Sequence, residues 1–489
     1  MTLLRPAALA LLAAALPSAA FTAVGPDYRS PTVALTSAYQ ALSASPQPAA
    51  SAVALEAWWG AFGDPALTRV VERALAQNLD LEQARARVLQ SRAAARAAGA
   101  ALLPEARLAG SAAKVQQSLR SPIGELGHGL PGFARNYDDD AVGAAASWEI
   151  DLFGGLRRAR EAAGADAQAA AREADEIRTS VAAEAADGYL QVRAYQGRLA
   201  VARRQEQVET DLVDLLARRA AQGVSADREL REARAALESV RAAIPPLAAG
   251  LEAELNRLDV LMGAQAGAYR AELAQDAPEP APPPLAIAGR PADLLRRRPD
   301  VLAAEQKLVA ASARIGAAVA DYYPKVSLSA LLGVESVVPG QLFTNAALAH
   351  QVGAGLSWRL FDFGRVDAEV AQARGREAEA LAAYRATVFR ATQEVEDAFT
   401  ELAQQQARAA ALGRQIDQLT VARAQAEQAY EGGVISLIEV RDADRELLAA
   451  SDQLVQAKAA AARASVAAFR ALGGGWSAPP GTGASAQND

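Results

Sequence analysis

Residues Ser147-Trp148-Glu149-Ile150-Asp151-Leu152-Phe153-Gly154 return, altered, as Ser357-Trp358-Arg359-Leu360-Phe361-Asp362-Phe363-Gly364, 210 positions later. Asp187 answers to Asp397, and Gly223-Val224-Ser225 to Gly433-Val434-Ile435. The chain is one long unit written twice, so a fold must explain the unit first. The period is far longer than that of a solenoid repeat. A duplication of this size predicts pseudo-symmetry around an axis, as in a ring or a tube.

Composition narrows the class. Alanine dominates the apolar residues and aromatics make up only 5% of the 489 residues, which suits long helices packed through small side chains. The net charge of −7, with basic residues interleaved among acids, argues against nucleic acid as a partner. There is no cysteine, hence no disulfide framework, thiol nucleophile or cysteine-based metal site. His128 and His350 are the only histidines, too few for a histidine metal centre, and both fall in predicted loops. No phosphate-cradling glycine loop occurs. Neither a cofactor nor a metal is expected, and the chain reads as a non-enzyme.

Residues 1–20 read as a signal peptide: Arg5, an apolar run from Ala7 to Leu16, then Pro17 and the small residues Ser18-Ala19-Ala20. Beyond it no apolar run reaches the ~18 residues of a spanning helix. The protein is expected to be exported without a helical anchor.

Proline placement outlines the unit. None occurs between Pro131 and Pro245, or between Pro339 and Pro479. These gaps permit long helices over 155–222 and 364–431, each roughly 100 Å at about 1.5 Å per residue. The helices are predicted to turn at Gly223-Val224-Ser225 and at Gly432-Gly433-Val434-Ile435-Ser436, where glycine supplies a left-handed cap and serine starts the next helix. The return helices, 226–262 and 437–471, carry seven-residue seams: Leu230, Leu237, Ile244, Leu251 and Leu258, then Val440, Leu447, Leu454, Ala461 and Ala468. Pro245-Pro246 predicts a kink in the first.

Between the helices lie period-two segments. Val142, Ala144, Ala146, Trp148 and Ile150 alternate with small or charged residues, as do Val352, Ala354, Leu356, Trp358 and Leu360, and Val326 through Val334. Such alternation reads as half-buried strands, in hairpins over 104–153 and 324–363. One reading makes them barrel strands, apolar face to lipid and polar face to a lumen. The other makes them soluble sandwich strands with a core tryptophan. On the barrel reading, Trp148, Phe153, Trp358, Phe361 and Phe363 are interfacial anchors. The first tip loop, 121–140, is longer than the second, 337–350, and across it the offset between copies changes from 220 to 210.

Two strands per copy make four per chain, and four cannot close a membrane barrel. Two chains would supply eight strands and three would supply twelve. A helix of ~100 Å cannot lie in a bilayer core of ~30 Å, so a helical tube must project from it. In chain order the expected parts are the signal peptide 1–20, an equatorial segment 21–66, a first repeat 67–262, a Pro-rich linker 263–290, a second repeat 291–471 and a flexible tail 472–489.

Several stretches resemble the TolC-like outer-membrane factors, in particular their multidrug-efflux lipoprotein branch. They are Val24-Gly25-Pro26-Asp27-Tyr28, Trp58-Trp59 with Phe62 and Asp64-Pro65, Arg298-Pro299-Asp300-Val301 with Ala304-Glu305, Ile315-Gly316 with Tyr323-Pro324, and Leu472-Gly473-Gly474-Gly475-Trp476. The resemblance spans nearly the whole chain past the signal peptide. It implies a mixed, mainly α fold: a homotrimer with a twelve-stranded outer-membrane β-barrel, a periplasmic α-helical barrel and a mixed equatorial domain. It implies the exit duct of a tripartite efflux system for drugs or other small toxic compounds. Its partners would be outer-membrane lipid, a periplasmic adaptor and an inner-membrane pump of the resistance-nodulation-division type. Phe21 stands about where the family often has a lipidated cysteine, so anchoring is expected to rest on the barrel. A duct for type I protein secretion is the alternative. A periplasmic adaptor or a secreted coiled-coil scaffold fits the doubled strands less well.

The resemblance also implies a periplasmic gate, an apolar residue with an aspartate four positions later, falling on Ile438 and Asp442. Threefold symmetry would make each a ring, in which the carboxylates repel, attract cations and favour opening. Arg228 and Glu232 take the corresponding positions in the first copy. The turns at Gly223, Val224 and Ser225, and at Gly432, Gly433, Val434 and Ser436, would form the tips that meet the adaptor.

Overall fold

The computed structural model describes residues 22–36, 39–40, 54–223, 226–275, 277–284 and 297–477. The expected signal peptide, Val224, Ser225, residues 285–296 at the end of the linker and start of the second repeat, and the tail from 478 lie outside the described residues.

A 3-10 segment, Leu55–Phe62, precedes α1, Pro65–Gln77, and α2, Leu79–Ala100. Then come β1, Glu105–Gln116, the short α3, Pro122–Gly127, and β2, Asn136–Ile150. The first long helix, α4, is Gly155–Ala221, and its return helix, α5, is Asp227–Leu261. After the one-turn α6, Arg270–Leu273, the second half follows as α7, Pro299–Ala320, and β3, Lys325–Ser336. A 3-10 turn, Asn345–Ala347, leads to β4, Leu348–Ser357, then α8, Arg365–Glu431, and α9, Leu437–Ala471. The long helices have 67 residues each, the return helices 35 each, and α2 and α7 have 22 each.

The chain forms two compact units. One comprises Met1–Ser30, Gln90–Ala167 and Gln306–Leu381; the other comprises Pro31–Leu89, Gln168–Glu305 and Ala382–Asp489. Each draws on both halves of the sequence, so compactness cuts across the consecutive parts expected from chain order. The reason is that α4 and α8 run on through both units.

The first unit holds one antiparallel sheet in the order β1-β2-β3-β4. Glu105 pairs with Ser147 in the first hairpin and Lys325 with Ser357 in the second. Lys325 lies 220 positions after Glu105 and Ser357 lies 210 after Ser147, so both hairpins have one register. The hairpins join through β2 and β3, where Ser147 faces Ser329.

The second unit holds the main core. Trp58 is fully buried and stacks on Phe469, centroids 5.2 Å apart, with Leu67, Tyr189, Leu190 and Leu258 around it. Asp64 caps α1, accepting from Ala66 N at 2.7 Å, and also accepts from the Tyr189 hydroxyl at 2.6 Å. Burial and that bond push the Tyr189 hydroxyl up to about 12.

Local expectations need three corrections. β4 stops at Ser357, so Trp358, Arg359 and Leu360 lie outside the strand. Arg359 instead pairs with Glu369 of α8 at 3.1 Å. The first tip loop runs over 117–135 rather than 121–140, because β1 ends at Gln116 and β2 already begins at Asn136, and it contains α3. The second is shorter, because β4 begins at Leu348. The return helix α5 runs as one helix through Pro245 and Pro246, with Ala226 at its N-cap.

Candidate functional site

Two places could carry function, one in each unit. In the first unit the sheet has an apolar face. Val142, Ala144, Ala146, Trp148 and Ile150 share it with Val326, Leu328, Ala330, Leu332 and Val334, their direct partners in the ladder. At ~3.4 Å per residue, the stretch from Val142 to Ile150 is about 27 Å long. Toward the tip loops the face ends in the pair Lys114 and Asp138 and in Asp140. The opposite face carries Ser147, Glu149, Ser327, Ser329, Gly353 and Gly355, interrupted by Leu331. Leu108, Leu332, Leu348, Val352 and Leu356 are exposed. A soluble sandwich would cover such a face; an outer-membrane sheet turns it to lipid.

The aromatic residues at the strand ends have unequal surroundings. Trp148 Nε1 donates to the Leu102 carbonyl at 2.9 Å, and Trp358 Nε1 to the Tyr322 carbonyl at 3.0 Å. Phe153 is not a bare anchor: it stacks on Tyr323, centroids 4.5 Å apart. Phe361 and Phe363 are exposed, and Phe363 adopts a left-handed φ of 55°. The aspartate shifts by one place between the copies yet does the same work. Asp151 accepts from the backbone N–H of Leu156 and Arg157 at the start of α4. Asp362 accepts from those of Gly364 and Val366 at the start of α8.

In the second unit the helix turns are built on left-handed glycines. Gly223 has φ 73° and Gly433 φ 71°, and nothing lies within 4 Å of where their side chains would stand. Val434 N donates to the Ala429 carbonyl at 2.9 Å, closing the end of α8. Ser436 caps α9 in a capping box with Glu439. Val434 and Ile438 stand exposed.

Asp442 lies one turn beyond Ile438 and is exposed. Arg445 pairs with it at 3.6 Å and with Glu209 of α4 at 3.3 Å. The Glu209 side chain is nearly fully buried. Beside them, Asp444 accepts from Arg423 of α8 at 3.0 Å and pairs with Arg441 at 3.5 Å. The start of α9 is thereby tied to α4 and α8. At the start of α5 the pairs run along the helix itself: Arg228 to Glu232 at 3.7 Å and Arg231 to Asp227 at 2.8 Å. The sequence reading reached Asp442, Arg228 and Glu232 but missed Arg445, Glu209 and Asp444. Arg445 at three positions past Asp442 was the only local signal.

The stretches that carried the resemblance prove to be structural. Arg158 donates to the Val24 carbonyl at 3.2 Å and to Asp27 at 2.7 Å. A side chain at Gly25 would stand 2.3 Å from Gly316 Cα, which explains both glycines. Arg298 holds Asp300 at 2.8 Å, Glu394 at 2.6 Å and the Ala471 carbonyl at 3.0 Å.

No described helix is long and apolar enough to cross a membrane. A mainly helical chain with one uncovered four-stranded sheet defines the class of TolC-like outer-membrane channels. The outer-membrane channel OprN is 33% identical in sequence, with a TM-score of 0.83 over 93% of this chain and 99% of that one. The pyoverdine export outer membrane protein OpmQ of Pseudomonas putida is 31% identical over 479 residues, 97% of each chain. Nodulation protein T of Rhizobium leguminosarum bv. viciae is 28% identical, covering 93% of this chain and 91% of that one. The model of the outer membrane efflux protein family matches residues 70–264 and 291–474. The chain belongs to that family: it is a non-enzymatic outer-membrane channel for efflux, with its long helices in the periplasm.

Proposed function

We propose that three copies close one twelve-stranded barrel, continued by a periplasmic helical tube of sixfold pseudo-symmetry. The observation that carries this reading is the sheet: an apolar face of membrane height, no cover, and two open edges. Open edges in lipid leave backbone groups unsatisfied. Four strands fall short of the smallest barrels, and three copies give twelve. The matched lengths of the paired helices support two equivalent wall segments per chain.

On this reading Ile438 and Asp442 form rings at the periplasmic mouth, and Arg228 with Glu232 forms a second charged ring. The turns around Gly223 and Gly433 meet an adaptor, which joins the duct to a pump of the resistance-nodulation-division type. The cargo is drugs or other small toxic compounds. That relatives are named for pyoverdine export and for toluene efflux supports small molecules rather than proteins as cargo. Single-channel recording in planar bilayers tests the gate. Asp442→Ala is expected to lower cation selectivity and alter opening; a variant identical to the parent in both would remove Asp442 from the gate.

A further inference from the structure

The end of α2 carries a basic patch with no part in the proposed duct. Between Glu82 and Glu105 the chain has no acidic residue, and Arg92 and Arg96 stand exposed there. With Gly99 they fall at positions i, i+4 and i+7, one stripe of the helix. A third arginine joins them from α4. Gly99 has no side chain, and a Cβ there would stand 3.8 Å from Arg160 Nε. The Arg160 side chain therefore rests in that notch, one turn from Arg96. Among the described residues none of the three arginines forms an ion pair. The acids nearest Arg160 in sequence are engaged elsewhere: Asp151 by Arg157, and Glu161 by Arg158. Glu105 pairs with Ser147, on the polar face of the sheet.

Depth places the patch. Arg96 lies four residues before the end of α2 and Arg160 five after the start of α4, about 6–8 Å along each helix at ~1.5 Å per residue. The end of α2 abuts the apolar face of the sheet, where Trp148 Nε1 donates to the Leu102 carbonyl. Leu103, just beyond, is 66% exposed. An apolar side chain beside arginines suits a lipid boundary rather than a water-filled lumen. The headgroup layer of a bilayer is about 5–8 Å deep on each side, so Arg96 and Arg160 sit at phosphate level. Arg92, one turn further, reaches it along its aliphatic stem. We infer that Arg92, Arg96 and Arg160 bind the headgroups of anionic phospholipids in the periplasm-facing leaflet. Guanidinium forks match phosphate oxygens in bidentate pairs. The patch lies within one copy, so its charge does not depend on how many copies close the barrel.

The second half of the chain treats the same face differently. The counterparts of Arg92 and Arg96, 220 positions on, are Ser312 and Gly316, both buried. Gly316 lies under the N-terminal segment, with Gly25 against it and the Val24 carbonyl held by Arg158. The chain itself covers that face of α7. The equivalent face of α2 is open and carries charge instead.

Lipid retention by the full-length channel tests the site. The protein in detergent is incubated with palmitoyl-oleoyl phosphatidylglycerol, or with phosphatidylcholine of the same chains, and passed through size-exclusion chromatography. Bound lipid is then counted by native mass spectrometry. The parent is expected to retain several times more of the anionic lipid. Arg92→Gln, Arg96→Gln and Arg160→Gln together should lower that retention to the phosphatidylcholine level. The three corresponding lysine substitutions keep the charge and should keep most of the preference. Arg234→Gln, an exposed arginine of α5, should behave as the parent. In the parent itself, raising the salt on the column should reduce phosphatidylglycerol retention. Excess inorganic phosphate separates lipid from free anion, since it carries no acyl chain to hold it at the boundary. Complete displacement by phosphate would make the patch a free-anion site and overturn the lipid assignment. Equal retention of the two lipids by the parent, retention indifferent to salt, or an undiminished preference in the glutamine variant overturns it as well.

Discussion

The indole of Trp148 donates to the Leu102 carbonyl at 2.9 Å, two residues past the end of α2. Trp358 repeats the contact on Tyr322, two residues past the end of α7. A helix end leaves carbonyls without partners, and in each half an indole on the returning strand segment satisfies one. The tryptophans thus fasten each helix to its own hairpin.

Replacing either tryptophan by phenylalanine keeps most of the apolar surface and removes the donor. Each single change is expected to cost about 1 kcal/mol, read as a lower midpoint in denaturant, with conductance unchanged. A loss in Trp148→Phe without one in Trp358→Phe would show that the two contacts are not equivalent.

Arg445 connects the exposed Asp442 to the buried Glu209. Arg445→Ala leaves Glu209 without its charge partner, at a cost of about 1–3 kcal/mol, and loosens the start of α9 from α4. The variant should open more often in bilayer recordings. Arg228→Ala breaks only an exposed pair along one helix, worth about 0.5 kcal/mol or less, and should leave opening unchanged. Equal behaviour of the two variants would argue against the cross-helix tie as the lock.

At Gly433 the φ of 71° excludes proline, whose ring holds φ near −65°. Gly433→Pro should distort the turn and abolish capture of the adaptor, measured as loss of co-purification and of pump-dependent resistance. Gly433→Ala meets no atom within 4 Å and pays only for its backbone conformation, about 1 kcal/mol, so capture should persist. Resistance surviving in the proline variant would separate the turn from adaptor binding.

Burial pushes the Glu279 carboxyl up to about 7, against the pull of Lys458. Its Oε1 is buried with no hydrogen-bond partner among the described residues. A raised value means that the folded state holds the proton more tightly than the unfolded state. The stabilisation is complete below the ordinary value of 4.5 and is lost as pH rises through about 7. Glu279→Gln should melt higher than the parent at about pH 8 and match it more closely at about pH 5. A parent whose melting temperature is flat across that interval would contradict the assignment.

The sequence was legible where near neighbours decide. Proline-free gaps, turn glycines and period-two alternation are local signals, and the 67-residue helices and the strand segments follow them closely. It was less legible where a strand needs a partner. The alternation in the second copy continues to Leu360, but β4 ends at Ser357 because residues beyond it have no ladder to join. The gate candidates were legible only in part, since Glu209 and Arg445 are 236 positions apart and no periodicity links them.

By itself the sequence determined the doubled unit, the length of its helices, the places where they turn, and the absence of any thiol. These depend on backbone preferences and on spacing along one chain. The tertiary structure alone decided that β2 lies beside β3, that Gly25 passes against Gly316, and that Arg445 holds Glu209. Each of those joins residues far apart in the chain, and their energy comes from register and close approach, which no local pattern encodes. The two compact units arise in the same way, since each assembles segments from both halves of the sequence.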